Sequence, residues 1–212
     1  MNRKSKIKRE TKETSIKISL NIDGTGDYSI DTGIPMFDHL LEQIAIHGIF
    51  DLDIQAKSDL SIDTHHCVED VGIVLGQIFK EALHEKKGIK RVGSCYLPMD
   101  ETLVLIVLDL SNRPYFSLSE IPWEEKTVGG IPPISVTLIE HFLHSFATNS
   151  AITLHVKVLS GKNNHHIAEA LFKALGRALD EASRIDPKRK GLLPSSKGTL
   201  SDTFQKKRKK TG

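Results

Sequence analysis

A short element occurs twice in this chain, and the repetition limits the possible folds more than any composition figure. His65-His66-Cys67-Val68-Glu69 and His165-His166-Ile167-Ala168-Glu169 share the pattern His-His-x-x-Glu. A lone histidine precedes each, His39 by 26 residues and His141 by 24. Recurrence at this length implies two copies of one structural unit. The hydropathy pattern agrees. Residues 16–22 and 50–56 alternate apolar and polar side chains, as half-buried strands do. Residues 23–27 form a turn, and residues 28–30 are predicted to pair back as a hairpin. Residues 34–47 and 64–86 carry helical spacing, with Pro35 in a first turn, Asp63 or Thr64 as a cap, and Gly48 and Gly88 past the ends. The second half repeats the plan, with strands at 102–110, 115–118 and 151–159 and helices at 132–148 and 163–184. A Gly/Pro-rich loop at 121–133 interrupts it. The expected fold is α+β, internally duplicated, with a first repeat at residues 6–90 and a second at 91–200 forming one unit.

The chemistry of the repeated element is that of metal ligation. Residues four apart share a helix face, whereas neighbours diverge by about 100°. His65 with Glu69, and His165 with Glu169, can each chelate one ion, leaving His66 and His166 free for a second. Four candidate ligands from each half make eight, enough for two ions with three imidazoles and one carboxylate each. Imidazole with carboxylate and no thiolate suits Mn, Fe, Co, Ni or Zn. Manganese is attractive because six-coordination leaves room for water or substrate. Cys67 is expected to be a buried helix residue, because Ile167 takes its place in the second copy.

Charge and cysteine content exclude other classes. The formal net charge is +2, but the last twelve residues carry Lys206, Lys207, Arg208, Lys209 and Lys210 against Asp202. The remaining body has 24 cations and 26 anions, so it is not a basic nucleic-acid binder. Residues 201–212 are expected to be a disordered basic tail. Two cysteines make no disulfide framework. No apolar run reaches the roughly 18 residues of a membrane span, and the N-terminus lacks a secretory apolar core. Cytoplasm is the expected compartment.

Longer strings carry a family resemblance. They are Arg9-Glu10-Thr11-Lys12-Glu13-Thr14, Asp38-His39-Leu40-Leu41, and the run Asp59-Leu60-Ser61-Ile62-Asp63-Thr64-His65-His66-Cys67-Val68-Glu69-Asp70. Further along come Asp109-Leu110-Ser111-Asn112-Arg113-Pro114-Tyr115, Asn164-His165-His166-Ile167-Ala168-Glu169-Ala170, and Pro194-Ser195-Ser196-Lys197-Gly198. Over about residues 6–200 the chain resembles imidazoleglycerol-phosphate dehydratases, hydro-lyases of histidine biosynthesis. It departs from the common family pattern at Pro35-Met36-Phe37, Cys67 and Ser196, and no departure removes a ligand.

The resemblance implies two four-stranded sheets enclosing four helices, with halves of the ribosomal-protein-S5-domain-2-like kind. It implies two Mn(II) per subunit, one held by His39, His66, His165 and Glu169, the other by His65, Glu69, His141 and His166. It also implies a 24-subunit homo-oligomer with sites at subunit interfaces. The implied reaction dehydrates D-erythro-imidazoleglycerol phosphate to imidazole-acetol phosphate through a metal-bound imidazolate. Glu13 matches the acid/base position, and His47, on the helix of His39 and Glu42, is expected to face substrate together with His39. Asp100 and Glu101 are weaker alternatives for proton transfer. Arg91, Arg113, Ser195, Ser196 and Lys197 match phosphate-holding positions, where a guanidinium fork suits phosphate oxygens. The length leaves no room for an added phosphatase domain. Two other readings stay open: a metallohydrolase acting on a phosphate ester, and a shell protein whose ions only join subunits.

Overall fold

Ile16, Ile18 and Leu20 are buried on one side of a strand whose other side carries Lys17 and Ser19. That alternation sets a sheet with one face on the core. The computed structural model describes residues 3–200, and the basic tail lies outside them. The first half runs β1 (Lys4–Glu10), β2 (Thr14–Asn21), β3 (Tyr28–Asp31), α1 (Pro35–Gly48), β4 (Asp51–Ser58) and α2 (His65–Ala82). The second runs β5 (Val92–Met99), β6 (Thr102–Asp109), β7 (Tyr115–Leu118), α3 (Val136–Asn149), β10 (Thr153–Ser160) and α4 (Asn164–Ser183), with a small ribbon of β8 (Thr127–Gly129) and β9 (Ile134–Ser135) inserted before α3. The two main sheets have the orders β1-β2-β4-β3 and β5-β6-β10-β7, the same arrangement twice. The expected duplicated α+β fold with two four-stranded sheets and four helices is what forms.

Several local expectations are corrected. Residues 28–30 do not fold back on β2. β3 pairs with β4 in parallel, Tyr28 opposite Leu52, because α1 intervenes and returns the chain in the same direction. The second half does likewise, β7 pairing parallel with β10. Strands β1 and β5 were not expected. Both are edge strands, where Lys side chains and Pro98 are tolerated and the hydrophobic alternation is weak. The Gly/Pro-rich loop contains the β8–β9 ribbon, and α3 starts at Val136, where Ser135 Oγ accepts from Thr137 N–H at 3.3 Å.

Helix α2 stops at Ala82 rather than residue 86. His84 and Lys86 take left-handed backbone (φ 48° and 57°). Lys86 is only 3% exposed. Its Nζ donates to Leu110 O at 3.2 Å and Asn112 Oδ1 at 2.6 Å, which draws the chain out of the helix before Gly88. Burial pushes this ammonium down to about 8.

The helices pair across the halves, α1 with α4 and α2 with α3. Phe142 of α3 stacks on Phe172 of α4 with ring centroids 4.9 Å apart, and meets Phe37 of α1 edge-on at 5.5 Å. Two glycines allow the close approach. A Cβ on Gly76 of α2 would lie 2.7 Å from Phe146 O, and one on Gly176 of α4 would lie 2.8 Å from Ile44 O. Each glycine stands seven residues after the glutamate of its His-His-x-x-Glu element, so the same two-turn offset brings the lone-histidine helix against both. Gly176→Ala is expected to destabilise the fold by about 1–3 kcal/mol through overpacking and to weaken metal uptake, read by the denaturation midpoint and metal content. A parent-like midpoint would refute this close-contact account.

Candidate metal centre

Both histidine doublets open a helix, and in both the preceding residues set the first turn. Asp63 Oδ1 accepts from His65 N–H at 2.8 Å. Asn163 Oδ1 accepts from His165 N–H at 2.8 Å and His166 N–H at 3.3 Å. Such bonds satisfy amides that a helix start leaves open. The doublet rings then diverge, by 80° between planes in both copies.

Two three-residue groups result. His39 Nε2 lies 3.1 Å from Glu169 Oε2, and His165 Nε2 lies 2.9 Å from the same oxygen. His65 Nε2 lies 3.5 Å from Glu69 Oε2, and His141 Nε2 lies 3.1 Å from Glu69 Oε1. Within each group the ligand atoms all fall inside 4.8 Å of one another. Two ligands about 2.1 Å from one ion stand about 3–4 Å apart, so the spacing fits a shared cation. His141 Nε2 is buried and makes no hydrogen bond despite its short approach to Glu69. A buried ring nitrogen without a hydrogen bond is available as a donor to a cation. Each group mixes the halves, since α1 carries His39 to α4 and α3 carries His141 to α2.

Glu169 is almost buried, which opposes ionisation. Bonds from Lys173 and His39 outweigh that and hold its carboxyl at about 2, with Lys173 Nζ 2.5 Å from Oε1. Burial, then Lys173 and Arg177, pushes His47 below the usual histidine range. His47 lines a cleft of about 820 Å³ with Lys90, Tyr96, Lys173 and Arg177. Gln43, which sequence reasoning missed, is buried on α1 and donates to His39 O at 3.0 Å.

His66 and His166 join neither group. His66 Nε2 faces Glu13 Oε2 at 3.8 Å. His166 Nδ1 meets Glu101 Oε2 at 2.8 Å, and Asp100 stands 3.8 Å from its Nε2. The His166 bond, then the Asn163 amide, holds Glu101 down to about 2.

The phosphate candidates gather elsewhere. Arg91, in left-handed backbone (φ 81°), donates Nε and Nη2 to the two oxygens of Asp109 at 2.7 and 2.8 Å and Nη1 to Pro194 O at 2.7 Å. Arg113 Nη2 lies 3.8 Å from Asp109 Oδ2. Ser195, Ser196 and Lys197 follow Pro194 in a turn, with Lys197 N–H donating to Ser195 Oγ at 3.3 Å. Asp109 fixes the Arg91 fork and Lys86 holds Leu110 O and Asn112 Oδ1 just before Arg113, and their local sequence carries no sign of either role. Asp109 sits opposite Thr153, whereas Leu103 sits opposite Ser160, just before α4. Six strand residues separate the two ends, about 20 Å. Arg91 and Arg113 therefore lie at the opposite end of this sheet from the start of α4 and its histidines.

The sequence model of the imidazoleglycerol-phosphate dehydratase family matches residues 32–179, a span holding all eight candidate ligands. The chain belongs to this family of hydro-lyases. It is 53% identical to the imidazoleglycerol-phosphate dehydratase of Acetivibrio thermocellus over 94% of this chain and 100% of that protein. It is 54% identical to that of Thermoanaerobacter pseudethanolicus over 93% and 100%. Among solved structures, the imidazoleglycerol-phosphate dehydratase of Staphylococcus aureus superposes with a TM-score of 0.77 at 34% identity, over 86% of this chain and 99% of that one. The Pyrococcus furiosus enzyme, solved in complex with (S)-C348, gives 0.76 at 35%, over 91% and 99%. Among the described residues no helix is long and apolar enough to cross a membrane.

Proposed function

We propose that the chain dehydrates D-erythro-imidazoleglycerol phosphate to imidazole-acetol phosphate in histidine biosynthesis. The observation that carries this reading is the pair of matched three-ligand groups, each built from both repeats. Two Mn(II) ions per subunit suit these imidazole and carboxylate donors, and other divalent ions share the preference. When bound, the ions supply positive charge that favours the imidazolate form of the substrate ring.

The chain's own residues do the rest. His39 and His47 flank the substrate along α1. Arg91, Arg113, Ser195, Ser196 and Lys197 hold the phosphate, Asp109 keeping the Arg91 fork fixed. Glu13, in an exposed turn beside His66, carries the proton. Glu13 takes the ring N–H proton and hands it to the adjacent hydroxyl, which the ring electrons expel as water. The Glu13 carboxylate then takes the neighbouring carbon-bound proton, and the enol ketonises with that proton returned to carbon. A substrate of roughly 10 Å by ordinary bond lengths does not span the ~20 Å between metal and phosphate ends of one sheet. Sites completed between copies answer this, with His66 and His166 supplying the remaining ligands to a neighbour's groups. A 24-subunit homo-oligomer, as the family resemblance implies, provides such interfaces. Both cysteines are free and buried, which suits the cytoplasm.

A phosphate-ester hydrolase wants a carboxylate bridging two close ions. Glu69 and Glu169 instead serve separate groups, which favours dehydration. Incubating Mn(II)-loaded protein with imidazoleglycerol phosphate decides the matter. The keto product is expected. Phosphate release would favour the hydrolase, and no reaction would favour a shell protein with structural ions.

A further inference from the structure

Glu13 and Glu101 hold the same place in the two repeats. Each lies in the turn joining the first two strands of its sheet, one residue before Thr14 or Thr102. Each faces the second histidine of its repeat's doublet. Their surroundings have diverged. The Glu13 side chain is 60% exposed, and its approach to His66 is 3.8 Å. Glu101 is engaged on both oxygens. Its Oε2 accepts from His166 Nδ1 at 2.8 Å. Its Oε1 accepts from Asn163 N–H at 3.0 Å, Thr102 Oγ1 at 3.2 Å and Lys162 N–H at 3.3 Å.

We propose that Glu101 is a positioning residue that fixes the tautomer and direction of the His166 ring. An ionised carboxylate only accepts hydrogen bonds, so the proton of this contact resides on Nδ1. Nε2 is then the lone-pair nitrogen, held outward for a cation. Carboxylate partners on the second ring nitrogen are a recurrent means of orienting ligating histidines. His66 lacks one, its Nδ1 being buried without a hydrogen bond. The duplication has thus assigned its two turn glutamates to different work. A carboxylate tied to Asn163, Thr102, Lys162 and His166 is poorly placed to carry protons, whereas Glu13 is free to do so.

The inference rests on His166 being a ligand, and chelator competition with Mn(II) on the full-length protein tests both. The parent is expected to bind two ions per chain. Glu101→Ala should weaken one of them about 10- to 100-fold and spare the other. Glu101→Gln, which keeps an acceptor oxygen and preserves the turn, should fall between Glu101→Ala and the parent. Glu13→Gln should keep both affinities. Parent-like affinity for both ions in Glu101→Ala overturns the positioning role, whether or not turnover falls. Equal weakening of both ions overturns it too, marking damage to the turn. A parent that takes up no ion overturns the ligand reading itself.

Discussion

His165→Ala is expected to remove one ion per chain and to bring dehydration below detection. Among the described residues, the group containing His165 offers His39 and Glu169 besides it. Both histidines approach the same oxygen, Glu169 Oε2, so the carboxylate is shared between the two rings. Lys173 already holds the other oxygen at 2.5 Å. With the imidazole gone, the ammonium competes for a carboxylate that no longer has two ring nitrogens to gather a cation. His65, Glu69 and His141 are untouched, so the second ion should remain. Metal analysis of washed protein, read beside keto-product formation, checks both halves of the prediction. His155→Ala is the control, since His155 packs at a tilt against Tyr115, outside both groups. Two ions per chain with parent turnover in His165→Ala would end the ligand assignment.

The second large effect is expected at Glu13. Replacing it with Gln should lower turnover about 10²- to 10⁴-fold, the usual worth of a placed acid or base, while both ions stay bound. The structural cost should be small. The side chain is mostly exposed, and the hydrogen bonds run through the backbone, its N–H donating to Thr11 Oγ1 at 3.1 Å and its carbonyl accepting from Asp59 N–H at 3.3 Å. A loss of turnover with parent metal content and thermal midpoint therefore reports chemistry rather than folding. Unchanged turnover would move the proton-carrying role to another carboxylate.

Much of this arrangement is legible in the sequence. Residues 115–118 form the short strand expected there, and α4 starts and ends within one residue of its expected bounds. The histidine doublets announced candidate ligands because residue type and helical spacing are local properties. Long-range matters were silent. Nothing in Lys4–Glu10 says strand, because an edge position in a sheet needs few apolar side chains. Nothing around Arg91 names Asp109 as its partner, because a left-handed backbone turn aims the guanidinium. Gly76 and Gly176 look like weak points in helices, where glycine costs stability. Only the packed structure shows which helix each one admits.

That exchange of helix partners bears on ancestry. Cutting the chain between residues 90 and 91 separates every three-ligand group, leaving His65 and Glu69 without His141, and His165 and Glu169 without His39. A half-length progenitor of this design would gather three ligands only by docking onto a twin, each copy lending its lone histidine to the other. Fusion of two such genes would turn an encounter dependent on concentration into a fixed neighbour. It would also release the two turn glutamates from having to be identical in role.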